Sequence, residues 1–428
     1  MKHILDLLFW IKHKREFNKR HIKNKPIILL VGMVNSIHFA RFIEKNCISN
    51  NERTFVIINS TPFTIPHPTI ENAIRKNKVY YFYHKRYLFD ISLLQGNTKI
   101  SGIINKIFGK KLEKSFLSGF EKRNFENFLN RDFNIKIIHL FEMQHAGYLF
   151  LEFSHKFNKE TRVYYTNYGS DIAYFNQFPK HKSKIEELIS FVNLYFAECN
   201  RDINIAKDLG YKGEFAPINM NSEINLKLHL GKSDKRIKTS KRKIISIKSY
   251  DSFVGRSNLI LDAILESTDV LKDFKLVFFS SSYYFNKIIA GPQLEDHEIE
   301  FEIFNHGTLS EVDMINIFEQ SRVVISNSKC DGVSTSIIEA VIHGAFPITS
   351  NTGCAGDWIN LTSDNLFEWD SKDELKQNIF KAITNDKLVD DFSERQIPIV
   401  IHNIQLRSEI FQSLFFYDLN YVENSSMV

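Results

Sequence analysis

The chain has 428 residues, of which 43% are hydrophobic and 25% charged, and its formal net charge is +5. This length favours two or three domains, and the composition is typical of a soluble globular protein. No stretch approaches the roughly 18 uninterrupted apolar residues that a membrane span needs, and the positive charge forms no basic patch with interleaved aromatic rings, which argues against a nucleic-acid partner.

Residues 1–25 form a basic amphipathic segment. Apolar side chains recur there at helical spacing, and Lys and Arg residues follow them: Ile4, Leu7, Leu8, Ile11, then Lys12, Lys14, Arg15, Lys19 and Arg20. Such a helix can lie on an anionic membrane surface. Equally, it can pack on the body of the protein with a solvated basic tail, and the sequence leaves both readings open.

Residues 26–220 alternate between apolar runs and helix-like stretches. The run from Pro26 to Gly32 leads through a polar turn into a helical pattern over His38–Lys45, which is how a doubly wound α/β unit opens. Further strands are predicted at Thr54–Asn59, Lys99–Ile104, Ile135–Phe141, Arg162–Thr166 and Leu194–Cys199. We therefore predict a Rossmann-like N-terminal domain with a parallel sheet.

Residues 221–243 are polar and basic and are predicted to be a linker. The alternation restarts in residues 244–393, a second Rossmann-like domain, and residues 394–428 are expected to be helical and to pack back on the first domain. Its predicted strands are Ile244–Lys248, Leu276–Ser280, Ile299–Ile303, Val323–Ser326 and Phe346–Thr349. Two such domains would face each other across a cleft, with ligands at the carboxyl ends of the strands.

The four cysteines, Cys47, Cys199, Cys330 and Cys354, are scattered without Cys-x-x-Cys spacing. This pattern argues against a zinc site and a disulfide framework, and it fits a reducing compartment such as the cytoplasm.

The segment from Ser326 to Ser350 carries the most chemical information. It predicts a strand, a turn at Asp331 and a helix from about Ser336 to His343, capped by Ser334 or Thr335 and stopped by Gly344. The start of such a helix attracts a diphosphate.

Two acids in this segment are candidates for sugar binding. Asp331 can accept hydrogen bonds from sugar hydroxyls. Glu339 lies among apolar neighbours, where an acid needs a partner, and it can bind the ribose of a nucleotide. The alternative is that both are ordinary turn and helix acids.

The segment resembles the signature of retaining GT-B glycosyltransferases of the family-four type. The resemblance rests on Asp331 and Glu339 with seven residues between them, followed by Ala340 and the step from Gly344 to Pro347. The first acid is usually Glu, so Asp331 departs from the pattern. The resemblance implies sugar contacts by Asp331 with Gly332, Val333 and Ser334, a ribose contact by Glu339, and a nucleotide-diphosphate sugar as donor.

Two further segments of the C-terminal half match the same family. Lys248 at a strand end and Arg256 at a helix start correspond to the two basic residues that clamp the donor diphosphate. The alternative is that they are solvated surface cations. Residues 305–310, with Gly307, resemble the loop near the nucleotide base.

The N-terminal half matches the family less sharply. His145 follows a strand where the family places a histidine near the reacting sugar, and His139 is the second candidate. Asn167 and Asp171 belong to a segment resembling a branch that builds bacterial surface polysaccharides, which implies an acceptor-side role. A core histidine and a helix-capping Asp171 are the alternatives.

Gly32 completes the list, because a glycine at the first turn lets donor phosphates approach closely. It can equally be a simple turn glycine.

These observations predict a metal-independent, cytoplasmic enzyme without a cofactor, since no metal-binding Asp-x-Asp is present. It would transfer a sugar with retention to a glycan or lipid-linked glycan, by a front-face path because no nucleophilic carboxylate pair is evident. A nucleotide-sugar epimerase on the same fold and an inactive membrane-associated scaffold are the alternatives.

Overall fold

The structure is a computed structural model that describes residues 25–48, 50, 53–61, 66–82, 120–131, 133–220, 224–230, 236–297 and 299–424. Residues 1–24 of the amphipathic segment and the strand predicted at Lys99–Ile104 lie outside the described residues. The chain divides into two compact units. The first consists of Met1–Ala197, Asp202–Glu223 and Ile410–Val428, and the second of Glu198–Arg201 and Ile224–Glu409.

The described residues of the first unit form a seven-stranded parallel sheet in the order β3-β2-β1-β4-β5-β6-β7. Its strands are β1 (Ile27–Gly32), β2 (Thr54–Asn59), β3 (Tyr80–Tyr81), β4 (Ile135–Phe141), β5 (Arg162–Thr166), β6 (Leu194–Phe196) and β7 (Glu214–Phe215). The helices are α1 (Ile37–Asn46), α2 (Pro68–Arg75), α3 (Phe120–Leu129), α4 (Tyr148–Phe153), α5 (Ser170–Ala173), α6 (Pro179–Phe191) and α7 (Asn200–Asp208).

Apolar side chains cover both faces of this sheet. Along β1, Ile28 and Leu30 belong to one buried cluster, whereas Ile27, Leu29 and Val31 belong to another. Successive side chains of a strand point to opposite faces, so a strand buried on both sides reads as an uninterrupted apolar run. This is why β1, β2, β4 and β5 are visible in the sequence.

The second unit contains a six-stranded parallel sheet in the order β10-β9-β8-β11-β12-β13. Its strands are β8 (Ile244–Lys248), β9 (Lys275–Ser281), β10 (Phe301–Asn305), β11 (Ser321–Ser326), β12 (Phe346–Ser350) and β13 (Leu366–Phe367). Helices follow most strands: α8 (Leu226–Leu230), α9 (Ser257–Leu265), α10 (Thr268–Leu271), α11 (Gly291–Glu295), α12 (Glu311–Gln320), α13 (Thr335–Ile342), α14 (Lys372–Thr384) and α15 (Asp386–Asn424), which belongs to this unit as far as Glu409.

Both sheets are doubly wound. In each, the first strand lies inside the sheet, and the chain moves outward on one side before it returns to the other side. The order therefore reverses between β1 and β4 in the first unit and between β8 and β11 in the second. The predicted α/β fold with two Rossmann-like sheets is confirmed, and ligands of such sheets bind at these switch points.

The segment predicted as a linker, residues 221–243, is packed where the structure describes it. It contains α8, and the buried Arg242 donates hydrogen bonds to four carbonyl oxygens of the second unit, those of Ile237, Phe318, Ser321 and His343. The prediction relied on apolar content and therefore missed this packing, because a buried guanidinium, and not apolar side chains, fixes the segment.

Two cysteines depart from the sequence-based expectation. Cys199 and Cys354 are paired as a disulfide at a sequence separation of 155, although the cysteine pattern argued against a disulfide framework. Cys47 and Cys330 are buried. Spacing along the chain gave no indication of the pair, because the fold alone brings the two residues together.

Candidate functional site

An ammonium group and a carboxylate meet at the switch point of the second unit. Lys248 is the last residue of β8, and Asp331 lies in the turn that follows β11. The Lys248 Nζ lies 3.3 Å from Asp331 Oδ2 and donates a 3.0 Å hydrogen bond to the Ser334 hydroxyl. The Lys248 side chain is 19% exposed and that of Asp331 35%. This pair is therefore accessible at the position where a doubly wound sheet binds its ligand.

The helix that begins beside this pair is α13. Ser334 occupies its N-cap position, as predicted, but its hydroxyl accepts from Lys248 and does not cap the helix. The hydroxyl oxygen of Thr335, the first helical residue, is buried without a hydrogen-bond partner. The start of α13 thus combines a helix dipole, a nearby ammonium and an unused hydroxyl, all of which favour an anion.

Hydrogen bonds fix the turn that carries Asp331. Asp331 Oδ1 accepts from the Gly332 N–H at 2.9 Å, and its carbonyl oxygen accepts from Arg201 at 2.8 Å. The Val333 N–H, predicted to contact the sugar, donates to the Glu198 carboxylate at 3.1 Å. The Asp331 carboxylate is therefore held in place, whereas the Val333 N–H already has a protein acceptor.

Glu339 lies in α13 and is buried, with 10% of its side chain exposed. Its Oε1 is 3.8 Å from His229 Nε2, which lies 3.6 Å from Glu311 Oε1. On its other side, His229 Nδ1 is hydrogen-bonded to His343 Nε2 at 2.9 Å. The expectation that an acid among apolar neighbours needs a partner holds here.

Burial is the main cause of the altered pKa of His343. It lowers the pKa of His343 to about 3, and the neighbouring His229, Arg236 and Arg242 lower it further. His343 is therefore a neutral imidazole at physiological pH.

Arg256 has different neighbours from Lys248. Its guanidinium donates to the Gly255 carbonyl oxygen at 2.9 Å and lies 5.3 Å from the centre of the Trp369 ring. Of the four charged residues predicted to converge, the structure brings Lys248 and Asp331 into contact. Glu339 faces His229 and Glu311, and Arg256 stacks on Trp369.

Two glycines, one in the predicted nucleotide loop and one at a helix end, have a left-handed backbone conformation that favours glycine. Gly307, after β10, has φ +75°, and an added Cβ would meet no atom within 4 Å. Gly344, after α13, has φ +87°, and its Cβ would lie 2.8 Å from Ser393 Oγ. The helix stop predicted at Gly344 matches this left-handed conformation.

In the first unit, the loop after β4 is organised by Glu142. This residue has φ 72°, which is strained for a side chain other than glycine. Its carboxylate accepts from the backbone N–H groups of Gln144, His145 and Ala146. His145 Nδ1 lies 3.1 Å from Glu142 Oε2, and half of the His145 side chain is exposed.

The other candidate histidine, His139, is a core residue. It is fully buried, bonds to Thr166 Oγ1 at 2.7 Å, and stacks against the rings of Phe141 and Phe196. Burial lowers the pKa of His139 to about 3. Of the two histidines, His145 alone is placed to meet a ligand.

The predicted acceptor-side residues are both buried. Asp171 Oδ2 accepts from the Met143 N–H, the Tyr168 N–H and the Tyr165 hydroxyl. Asn167 donates to Asp202 at 2.6 Å. These contacts favour the alternative in which Asp171 fixes the chain around α5 over a direct contact with an acceptor.

Burial also changes the acidity of Asp171. It raises the pKa of this carboxyl to about 7, and the negative charge of Glu142 adds to the effect.

Gly32, at the end of β1, is surrounded by aromatic side chains. A Cβ there would lie 3.1 Å from Phe141 Cβ and 3.3 Å from the Phe39 ring. Close packing already accounts for this glycine.

Three residues of these sites were not predicted, namely Glu142, His229 and Glu311, and Thr335 was predicted only as a possible helix cap. Glu142 lies between the two candidate histidines in the sequence, but no local pattern indicates that its carboxylate folds back on its own turn. His229 lies in the segment read as a linker, where no periodic pattern marks a buried helix.

Comparisons with solved structures support the fold. Sucrose-phosphate synthase from Thermosynechococcus elongatus matches 93% of this chain over 100% of its own length, with a TM-score of 0.62 and 8% identity. Anabaena HepE, solved with UDP and glucose, matches 92% of this chain over 100% of its own length, with a TM-score of 0.61 and 11% identity. A glycosyltransferase from Rickettsia africae matches 93% of this chain over 99% of its own length, with a TM-score of 0.54 and 15% identity.

At these identities the likeness establishes the fold, which is that of the GT-B glycosyltransferases. No protein-family model and no curated protein matches the chain. No helix in the described part of the chain has the length and apolar character needed to cross a membrane.

Proposed function

We propose that the chain is a retaining glycosyltransferase that takes a sugar from a nucleotide-diphosphate donor. One observation carries the proposal: Lys248 and Ser334 meet at the start of α13, at the switch point of the second sheet. HepE, which has the same fold, is known in complex with UDP-glucose, and this favours a nucleotide sugar as the ligand here.

Charge stabilisation of the departing nucleoside diphosphate is the main catalytic contribution that we propose. Lys248, the dipole of α13 and the unused Thr335 hydroxyl would receive the phosphates, and Arg256 would join them. Fixed positive groups act on this charge as it develops, without a metal ion at the diphosphate. For this retaining transfer we propose a front-face path assisted by the leaving phosphate and not a covalent intermediate, because no carboxylate nucleophile is evident among the described residues.

The remaining site residues receive roles in binding. We propose that Asp331, with Gly332 and Ser334, contacts the sugar and that Glu339 contacts the ribose. Gly307 would lie near the base. His145, exposed after β4, would approach the reacting sugar.

A glycan or lipid-linked glycan of a bacterial surface polysaccharide is the proposed acceptor. We place the enzyme in the cytoplasm, with residues 1–25 resting on the inner face of the membrane. Vesicles containing anionic lipid, compared with neutral vesicles, test this contact through co-sedimentation of the full chain and of a variant lacking residues 1–20. Equal sedimentation with both lipids would contradict it.

The test of transfer compares two lysines at opposite ends of one strand. Lys248→Ala removes the ammonium at the carboxyl end of β8, and Lys243→Ala removes one just before its start. Loss of a preorganised charge-stabilising group costs about 100-fold or more in kcat. We expect this loss for Lys248→Ala and near-normal turnover for Lys243→Ala, assayed with a panel of sugar nucleotides and simple glycoside acceptors.

Product analysis by NMR separates the proposal from its rivals. Retention gives a glycoside with the anomeric configuration of the donor. An altered nucleotide sugar formed without acceptor would indicate an epimerase. Absence of donor binding in calorimetry would indicate an inactive scaffold, and equal turnover of the two lysine variants would refute the role of Lys248.

A further inference from the structure

We propose that His229, Glu311 and Glu339 form a binding site for one divalent first-row transition metal ion. The three residues come from three helices of the second unit: α8, the first turn of α12, and the middle of α13. Their ligand atoms, one imidazole nitrogen and two carboxylate oxygens, all lie within 4.8 Å of one another.

The decisive residue is His229. Its side chain is 1% exposed, and Nδ1 is engaged by His343. The other ring nitrogen, Nε2, is buried without a hydrogen-bond partner and points towards the two carboxylates. A buried polar atom in this state costs free energy that a ligand would recover.

The distances suit an ion between the three atoms. His229 Nε2 lies 3.6 Å from Glu311 Oε1 and 3.8 Å from Glu339 Oε1, which is too long for direct hydrogen bonds. Metal bonds of about 2.1 Å in a tetrahedral site place neighbouring ligand atoms about 3.4 Å apart. The three side chains therefore need to close by only a few tenths of an ångström on the histidine side.

The donor set selects the class of metal. Imidazole nitrogen favours Zn²⁺ and its transition-metal neighbours, whereas Mg²⁺ and Ca²⁺ prefer oxygen ligands alone. Three protein ligands would leave one position for water, and the two carboxylates would balance the charge of the ion.

Neighbouring side chains hold the histidine in a suitable orientation. His343 Nε2 is hydrogen-bonded to His229 Nδ1, and the other ring nitrogen of His343, Nδ1, lies 3.8 Å from Glu319 Oε1. Histidines that bind metals usually have their second ring nitrogen fixed in this manner. The chain of side chains from Glu319 through His343 thus fixes the direction of His229 Nε2.

The site goes beyond the proposed sugar transfer and is separate from the Lys248 pair. It needs one oxygen of Glu339, which leaves the second oxygen for a ribose hydroxyl. The ion would fix the Glu339 carboxylate in place.

The test measures metal binding by the full chain, without any activity assay. Protein stripped with a chelator is titrated with Zn²⁺ in a calorimeter, and its metal content is measured after dialysis. Electron paramagnetic resonance of the Mn²⁺-loaded protein reports nitrogen coupling from a histidine ligand. We expect one ion per chain, a higher melting temperature with Zn²⁺, and a weaker response to Mg²⁺.

Matched variants locate the ion. We expect His229→Gln and Glu311→Gln to weaken Zn²⁺ binding by at least tenfold, and the exposed controls His297→Gln and Glu295→Gln to leave it unchanged. Glu311 is one-third exposed, so its variant is expected to fold even where His229→Gln does not. Unaltered binding in Glu311→Gln, a missing nitrogen coupling, or no bound ion would overturn the proposal. A chain that binds the ion but transfers no sugar would refute the proposed function alone.

Discussion

The two switch points share a strand order but differ in the groups that occupy them. In the first unit, the carboxylate of Glu142 accepts three N–H groups of the turn that follows β4. In the second unit, the Ser334 hydroxyl is engaged by Lys248 and does not cap α13. At the first switch point, a carboxylate accepts the backbone N–H groups of the turn. At the second, a cation lies beside the start of a helix.

Under the proposed function, this difference favours the second sheet as the place where the diphosphate binds. A diphosphate at the end of β4 would meet a carboxylate, whereas at the end of β8 it would meet an ammonium. Topology supplies two equivalent positions, and side-chain charge selects between them.

The largest effect on stability is expected from Glu142→Ala. The carboxylate is buried, and its loss leaves three backbone donors and His145 without their acceptor. We expect a loss of about 3 kcal/mol in the free energy of unfolding, measured with urea. Glu152→Ala, which removes only a half-exposed ion pair with Lys122, should cost less than about 1 kcal/mol. Equal stability of the two variants would mean that Glu142 does not organise the first switch point.

Two glycines with positive φ, each following a helix, allow the cost of an added Cβ to be compared between the two units. Gly210→Ala meets no atom within 4 Å and should cost about 1 kcal/mol for its left-handed backbone. Gly344→Ala must also displace Ser393 and Arg242, so we expect about 2 kcal/mol. Thermal unfolding of both variants measures the difference. A larger cost at Gly210 would contradict the packing around the end of α13.

Two serines at N-cap positions separate binding from stability. Ser371 caps α14 through the Glu374 N–H, so Ser371→Ala should cost about 1 kcal/mol of stability without changing affinity for UDP. Ser334 does not cap its helix, so Ser334→Ala should leave stability nearly unchanged and weaken UDP binding roughly 3- to 10-fold. Calorimetry and urea unfolding on both variants provide the readouts. The reverse pattern would show that Ser334 is an ordinary cap.

The last prediction concerns how the stability of the first unit depends on pH. The pKa of Asp171 is raised from 3.8 to about 7, so the folded chain keeps a proton that the unfolded chain releases. The free energy of unfolding therefore falls as pH rises between about 4 and 7, with a slope of up to about one proton. Asp171→Asn should flatten this slope in urea unfolding across that range. Glu160→Gln, at an exposed position, should not alter it, and an unchanged slope in Asp171→Asn would contradict the assignment.

Much of the fold was predictable because buried parallel strands are continuous apolar runs. The bounds predicted for β2, β4, β5 and β8 match those observed. The two-residue strands β3, β7 and β13 were missed, because their pairing depends on the neighbouring strand and not on their own sequence.

The site was predictable only in part. Asp331 was identified from its place in the turn after a strand and Lys248 from the family resemblance, but their 3.3 Å contact spans 83 residues. Likewise, the strained φ of Glu142 and the buried Nε2 of His229 arise from tertiary packing. Sequence patterns report which groups are present, whereas the third dimension decides which of them meet.

Arg242 influences where the side chain of Lys248 lies, at the opposite end of β8. Its guanidinium holds the chain two residues before β8 starts, and Lys248 ends that strand. Side chains alternate between the faces of a strand, so a shift of one residue at the anchor would turn the Lys248 amine to the opposite face. Arg242 therefore helps to set the register that places the ammonium six positions downstream, and we expect a one-residue insertion or deletion within residues 243–247 to misplace it.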